Sequence, residues 1–336
     1  MIKFKKYFLY ILAFIIIIFV IPALCTKQAK ETVSVAKNEN EVKNEEVQKY
    51  DYSKYGTIKL LHKASNIAEE LPIDEYLYGV VSAEMPASYE LEALKAQAIA
   101  ARTYTIYQIA NTKGKHGDCD ICDDSTCCQA WISKEDRLKK WDEQERENYW
   151  NKITKAVDTT AGKIITYSGE PINAFFHSNS GGKTELPSNV WIGGKDFPYL
   201  QSVETAGEDS YTQYNSEVKV SKNELLEILK KEFTDISINF EEEDCIKIID
   251  YTTSGRVKTV KFGNTEIAGT RVRSLLGLKS TNFSINMDGE NIIFSVIGYG
   301  HGVGMSQTGA DSMAKEGKSC EEIIRHFYTG VEISNL

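Results

Sequence analysis

One feature constrains the fold more than any other: an apolar run that ends in an acid and is stopped by a proline. Between Tyr76 and Thr103, Leu77, Val80 and Val81 recur at helical spacing, Ala83 follows, and Glu84 closes the run ahead of Met85 and Pro86. Proline cannot continue a helix, and it biases the residue before it toward extended backbone. The first helix therefore ends at Glu84. A second begins near Glu90 and carries Leu91, Leu94, Ala98 and Ala101 at spacings of three and four. Any fold of this chain must hold a helix–break–helix unit with a carboxyl group at the break, between apolar neighbours. Desolvation disfavours an ionised carboxyl, and a carboxylic acid that stays protonated near neutral pH is a general acid. Two plainer roles fit the same residues: Glu84 capping the next helix, or pairing with Arg102.

Upstream, Lys3, Lys5 and Lys6 precede an uncharged apolar run at 7–24 that contains Ile15–Ile18. Its length falls within the ~17–25 residues that span a bilayer. The lysines hold the N-terminus on the cytoplasmic side. No Ala-x-Ala pattern closes the run as a cleaved signal would, and Leu24 before Cys25 fits a lipoprotein signal poorly. The expected layout is a cytoplasmic tail at 1–6, an uncleaved single-pass anchor at 7–24, a linker at 25–54 too polar to fold alone, and an extracytoplasmic domain at 55–336. A net charge of −9 argues against nucleic acid as a partner.

Within that domain, Thr57–His62 reads as a strand. Four of the seven cysteines, Cys119, Cys122, Cys127 and Cys128, then fall within ten residues, with His116 just before them. Such density suits zinc, which takes thiolate and imidazole ligands tetrahedrally. Disulfides suit an extracytoplasmic location equally, although adjacent Cys127 and Cys128 cannot bond each other without strain. Ser133–Thr160 reads as one helix, and Lys163–Tyr167 with Ile172–His177 as a hairpin turning at Ser168–Gly169. The loop from His177 to Trp191 contains Gly181-Gly182-Lys183-Thr184, which imitates the end of a phosphate-binding loop. That motif needs a glycine where this chain has His177, so nucleotide binding is rejected. Exposed His, Ser, Asn and Thr on such a loop suit sugar hydroxyls. A helix at Ser221–Phe233, a strand pair within Ile246–Phe262 turning at Ser254–Gly255, a helix at Arg271–Leu276 and a hairpin of Asn282–Met287 with Asn291–Ile297 follow. Cys245 and Cys320 read as buried thiols. Gly298 to Ala310 is a glycine-rich turn that opens a helix near Ser306. Its free amides and His301 would face a ligand, unless the turn serves only tight packing. A helix at Cys320–Tyr328 closes the chain. The fold class is α+β, with antiparallel hairpins and two lobes flanking a groove as one arrangement.

Three separated stretches, around Glu84 to Tyr104, around Phe175 to Glu185 and around Gly298 to Gly317, together resemble the family of stage II sporulation protein D and the related amidase enhancers. The resemblance implies a membrane-anchored lytic transglycosylase that cuts peptidoglycan glycan strands between MurNAc and GlcNAc during engulfment, on the mother-cell membrane facing the forespore. It implies Glu84 as the catalytic acid and a zinc site at His116, Cys122 and Cys128, with Cys119 or Cys127 as a fourth ligand or a disulfide partner. His177, Ser180, Thr184, His301, Ser306, Gln307 and Arg102 are the expected substrate-binding residues. Expected partners are a wall amidase/endopeptidase and a membrane protein of the engulfment machinery. A hydrolase needs a second carboxylate, and none is evident in the three stretches near His177 or His301. A non-enzymatic glycan-binding protein that recruits a wall amidase is the competing reading, and a zinc hydrolase a weaker one.

Overall fold

A computed structural model describes Tyr52 and residues 54–336 except position 192. The tail, the anchor at 7–24 and nearly all of the linker lie outside the described residues. No helix among the described residues is long and apolar enough to cross a membrane.

Strands β1 (Thr57–His62) and β2 (Ile67–Pro72) form a hairpin that leads into helix α1 (Ile73–Glu84). The helix stops at the proline as expected: Met85 is extended, at φ −122°, while its N–H still reaches the Val81 carbonyl at 3.0 Å. Helix α2 (Leu91–Asn111) is the centre of the first lobe. It is buried on nearly all sides, and Ala93, Ala96, Ala98, Ala100 and Ala101 are small enough to let neighbouring helices approach closely. Its first turn is fixed from far along the chain, where the buried Asp311 carboxylate accepts the Glu90 N–H at 2.6 Å.

The expected helix at Ser133–Thr160 is two helices, α3 (Lys134–Lys140) and α4 (Arg146–Asp158). Trp141 adopts extended backbone between them, with its ring against Tyr149 and beneath the Arg137 guanidinium. A short strand β3 (Ile121–Cys122) joins β1 in parallel. Strand β4 (Lys163–Tyr167) turns at Ser168–Gly169, both at positive φ, into β5 (Glu170–Pro171). The expected second strand does not continue through Ile172–His177. The chain leaves β4 and re-forms as β6 (Phe176–His177), which pairs in parallel with β13 (Met305–Ser306) far along the sequence. Helix α7 (Gln307–Lys315) starts directly after β13, capped by Ser306, and α8 (Cys320–Phe327) and β14 (Glu332–Asn335) complete the first lobe.

The second lobe has its own apolar core. It comprises β7 (Asn215–Ser221), α5 (Lys222–Lys230), β8 (Ile246–Tyr251), β9 (Val257–Phe262), β10 (Thr265–Ala268), α6 (Gly269–Leu276), β11 (Asn282–Asp288) and β12 (Asn291–Ile297). Two three-stranded antiparallel sheets, β10-β9-β8 and β11-β12-β7, face that core. The hairpins within 246–262 and 282–297 lie where the sequence puts them. Strands β2, β7 and β10 were not foreseen. The α+β class holds for the described residues.

Candidate functional site

Glu84 stands at the C-terminal end of α1, half-buried, because Pro86 ends the helix there. Its Oε1 accepts the Ala130 backbone N–H at 2.6 Å, and its Oε2 accepts a longer bond, 3.4 Å, from Gln307 Nε2 at the start of α7. Burial raises the Glu84 pKa above the ordinary carboxyl range, and these two donors oppose that shift only in part. The plainer roles do not hold. Glu84 does not pair with Arg102, whose nearest acid is Asp74 at 3.6 Å. The Arg102 guanidinium is fully buried and donates to the Thr160, Val157 and Lys163 carbonyls at the end of α4. It fastens a helix end and is closed off from any substrate.

The Ala130 amide that holds Glu84 belongs to the cysteine-rich segment. Just ahead of it, buried Gln129 donates to the Tyr76 hydroxyl on α1 at 2.7 Å and to the Thr105 hydroxyl on α2 at 2.9 Å. Just after it, the Trp131 ring lies over Gly79 of α1. One step further back, His116, Cys122, Cys127 and Cys128 bring their donor atoms within 4.8 Å of one another. All six described cysteines are free thiols. One imidazole and three sulfurs at that mutual distance fit a closed tetrahedral zinc site, with Zn–S about 2.3 Å and Zn–N about 2.0 Å. The geometry groups Cys127 with the three expected ligands and leaves Cys119 out.

The remaining expected sugar contacts serve the scaffold. Glu208, not among the expected site residues, is buried and accepts from Ser180 N–H at 3.0 Å, Gly182 N–H at 2.9 Å, Thr205 Oγ1 at 2.7 Å and Thr308 Oγ1 at 2.9 Å. The Ser180 and Ser306 hydroxyls donate to it as well. Burial alone would raise the Glu208 pKa, yet the hydrogen bonds led by Ser180 and Ser306 hold it below the usual value. Those two serine hydroxyls are thereby occupied. Thr184, also buried, accepts the Val203 N–H at 2.8 Å. Glu185, a second buried acid, is saturated by the Leu186 N–H, the Asn189 amide and the Thr252 and Ser254 hydroxyls, and a third, Asp311, accepts from the Glu90 N–H and the Tyr211 hydroxyl and pairs with Lys315. Neither Glu185 nor Glu208 is free to act as a second carboxylate.

His177 and His301 lie ring to ring at 5.6 Å, with Trp191 5.2 Å from His301 and Phe175 4.7 Å from Trp191. His177 Nδ1–H donates to the Val303 carbonyl at 3.1 Å, and His301 Nδ1 accepts the Val303 N–H at 3.1 Å. Both rings are therefore neutral: burial, with Arg256 beside it, pushes His177 down to about 3, and burial with His177 lowers His301 well below its ordinary value. They staple the glycine-rich turn to β6. Gly304 in that turn, at φ +72°, lies so close to the Phe175 carbonyl that a Cβ would come 2.0 Å from it. Of the expected substrate contacts, the structure brings Gln307 alone to Glu84. The Ala130 amide, missed from sequence, has one readable signal: it lies two residues from a metal-type cysteine.

A family model described as stage II sporulation protein matches residues 62–167, the span that holds Glu84 and the Cys/His cluster. The chain is 35% identical over 280 residues to stage II sporulation protein D of Bacillus amyloliquefaciens, covering 83% of this chain and 78% of that one. It is also 35% identical to stage II sporulation protein D of Bacillus subtilis (strain 168), covering 83% and 79%. It is 29% identical over 310 residues to the amidase enhancer of Bacillus subtilis (strain 168), covering 77% of this chain and 40% of that protein. With 35% identity over 83% of this chain and more than three quarters of each of those two relatives, the chain belongs to the stage II sporulation protein D family.

Proposed function

We propose that this protein is a peptidoglycan lytic transglycosylase of sporulation, with Glu84 as its catalytic acid and base. The observation that carries the reading is Glu84 itself: a carboxyl group with a raised pKa at a helix end, held by one backbone amide and one side-chain amide. Protonated Glu84 gives its proton to the glycosidic oxygen as the bond from the MurNAc anomeric carbon breaks. The MurNAc O6 hydroxyl then bonds to that carbon and its proton returns to Glu84. The product is a 1,6-anhydro ring, and no water is consumed, so one carboxyl suffices where a hydrolase needs two. The Ala130 N–H and Gln307 orient the carboxyl in both protonation states. The half-exposed Trp191 ring beside His301 offers an apolar face to a sugar.

Zinc held by His116, Cys122, Cys127 and Cys128 would supply structural cross-linking of the segment that ends at Ala130. Membership of a sporulation family and kinship with an amidase enhancer support a role in wall remodelling linked to a wall amidase; the apolar run at 7–24 is the proposed single-pass anchor, from which the protein would meet a membrane partner of the engulfment machinery. The amidase-enhancer kinship also favours the second reading, a glycan binder that recruits the amidase. The deciding experiment incubates the protein with peptide-free glycan strands beside a Glu84→Gln control and weighs the products. Ends lighter by one water, absent from the control, support the transglycosylase. Ordinary reducing ends refute it in favour of a hydrolase, and bound but uncut glycan refutes it in favour of the binder.

A further inference from the structure

The chain carries a net charge of −9, yet two cations beside His301 have no acid to answer them. Arg273 stands in the last turn of α6. The chain leaving that helix lies along the glycine-rich turn, where the Lys279 carbonyl accepts the Gly300 N–H at 2.9 Å. The exposed Lys279 ammonium is 3.9 Å from the centre of the Tyr299 ring, which is itself exposed. Arg273 Nε donates to the Leu278 carbonyl at 3.3 Å, one residue before Lys279. Besides burial and His177, Arg273 and then Arg256 hold His301 neutral, so both guanidinium groups stand near that ring. Arg273, Lys279, Tyr299 and His301 therefore share one place on the surface.

The two guanidinium groups differ in what answers their charge. Arg256 is buried, donates to the Ser180 and Lys183 carbonyls, and has Glu185 and Glu208 as counter-charges. Arg273 is half-buried, and of the five N–H donors a guanidinium carries the Nε–H alone is used. Among the described residues neither Arg273 nor Lys279 forms an ion pair with a carboxylate. A cation at a helix C-terminus meets the macrodipole, which accounts for the place of Arg273 on α6 and leaves its four other donors unexplained. Partial burial lowers its pKa and strengthens its pull on an anion, and a guanidinium fork takes a carboxylate through two parallel bonds. A peptide-free glycan strand supplies that group, because each MurNAc unit carries a lactyl carboxylate and each GlcNAc none. Its distance from the reacting centre is bounded by the chain: His301 and Gln307, which bonds Glu84, are six residues apart, at most about 22 Å when fully extended.

We propose that Arg273 and Lys279 form an anion subsite that receives the lactyl carboxylate of a MurNAc unit in the strand bound at Glu84. The inference rests on the proposed function. Its test uses the full chain in detergent, carrying Glu84→Gln so that nothing is cut. Calorimetry titrates it with peptide-free glycan strands, and with the same strands after their carboxyl groups have been coupled to methylamine, which keeps the sugars and removes the charge. Arg273→Gln and Lys279→Gln are made singly and together, and the exposed Lys279 position carries the test alone if Arg273→Gln does not fold. Expected is a loss of about fivefold or more in affinity for the carboxylate strands, from the charge-assisted bonds removed, with the methylamide strands bound equally by parent and variants. Carboxylate strands bound within about twofold of the parent would overturn the subsite and leave the proposed function standing. Equal losses for both kinds of strand would overturn it in favour of a purely structural role. Binding of a polyglycerol phosphate that depends on the two cations, where strand binding does not, would overturn it in favour of a phosphate anion. A parent that binds neither strand would overturn the subsite and the proposed function together.

Discussion

Glycine in a helix ordinarily gains from replacement by alanine, by about 1 kcal/mol. Gly79 should do the opposite. A Cβ there would fall 2.2 Å from Trp131 Nε1, 2.6 Å from Cδ1 and 2.7 Å from Cε2. Non-bonded atoms rest about 3.5–4.0 Å apart, so the indole must retreat by about 1.3 Å. Its ring also packs against His62, at 5.2 Å between centroids, which limits the retreat. Overpacking of this kind costs about 1–3 kcal/mol. Set against the helix gain, Gly79→Ala should destabilise by up to about 2 kcal/mol, or several degrees of melting temperature at about 2–4 °C per kcal/mol. The larger effect concerns Glu84. Trp131 is bonded directly to Ala130, whose N–H sits 2.6 Å from Glu84 Oε1. A shift of ~1 Å there breaks the hydrogen bond, and misplacement on that scale costs about a hundredfold in rate. The assay measures turnover of peptide-free glycan and thermal melting on the same preparation. A variant stabilised by about 1 kcal/mol with unchanged turnover would refute both the steric argument and the coupling of Trp131 to Glu84.

Replacing Glu208 by Gln should destabilise the fold by about 2–4 kcal/mol in a denaturant titration, because donors aimed at a buried carboxylate lose part of their acceptor. The folded pKa of Glu208 is depressed, so its contribution is complete above the unfolded carboxyl value of about 4.3 and is lost as pH falls through the folded value. The stability gap between wild type and Glu208→Gln should accordingly close in acid. Glu84 has the reverse sign: its folded pKa is raised, so its contribution is present below the unfolded value and is lost as pH rises through the folded one. Glu84→Gln should melt higher than wild type at pH 8 and lose that advantage near pH 4, and a lower melting point at pH 8 would contradict the burial argument. Activity requiring protonated Glu84 should fall as pH rises through the same raised pKa. Cys127→Ser should reduce bound zinc per chain by elemental analysis while Cys119→Ser leaves it unchanged; unchanged zinc in Cys127→Ser would remove Cys127 from the ligand set. Chelation should lower the melting temperature, because the metal would brace the segment that runs to Ala130.

What the sequence discloses about this chain follows chain distance. Pro86 two residues after Glu84 fixes the helix end, the Ser168–Gly169 turn fixes a hairpin, and Ser306 fixes the start of α7, each through neighbours a few residues away. The cysteine-rich segment is legible as a metal-type group for the same reason. Partners separated by long stretches are not legible. Ser180 meets Glu208 across 28 residues and Ser306 meets it across 98. Without the acid in view, two polar side chains on glycine-rich loops look like hands extended to a substrate. His177 Nδ1 and His301 Nδ1 likewise bond Val303, a partner far from His177 along the chain. The extended segment after Pro171 changes sheets because its partner, β13, lies far along the chain, and no alternation within Ile172–His177 records that. The physical consequence reaches the site itself. A loop approaching a reacting sugar must be rigid, and rigidity here comes from polar side chains turned inward onto one buried carboxylate and from imidazoles turned onto backbone. The polar composition of these loops therefore measures how firmly they are held. Among the described residues, Glu84, Gln307, the partly exposed His301 and the Trp191 face remain to meet a ligand. A glycan strand met by so few groups at Glu84 would need further hold elsewhere along its length.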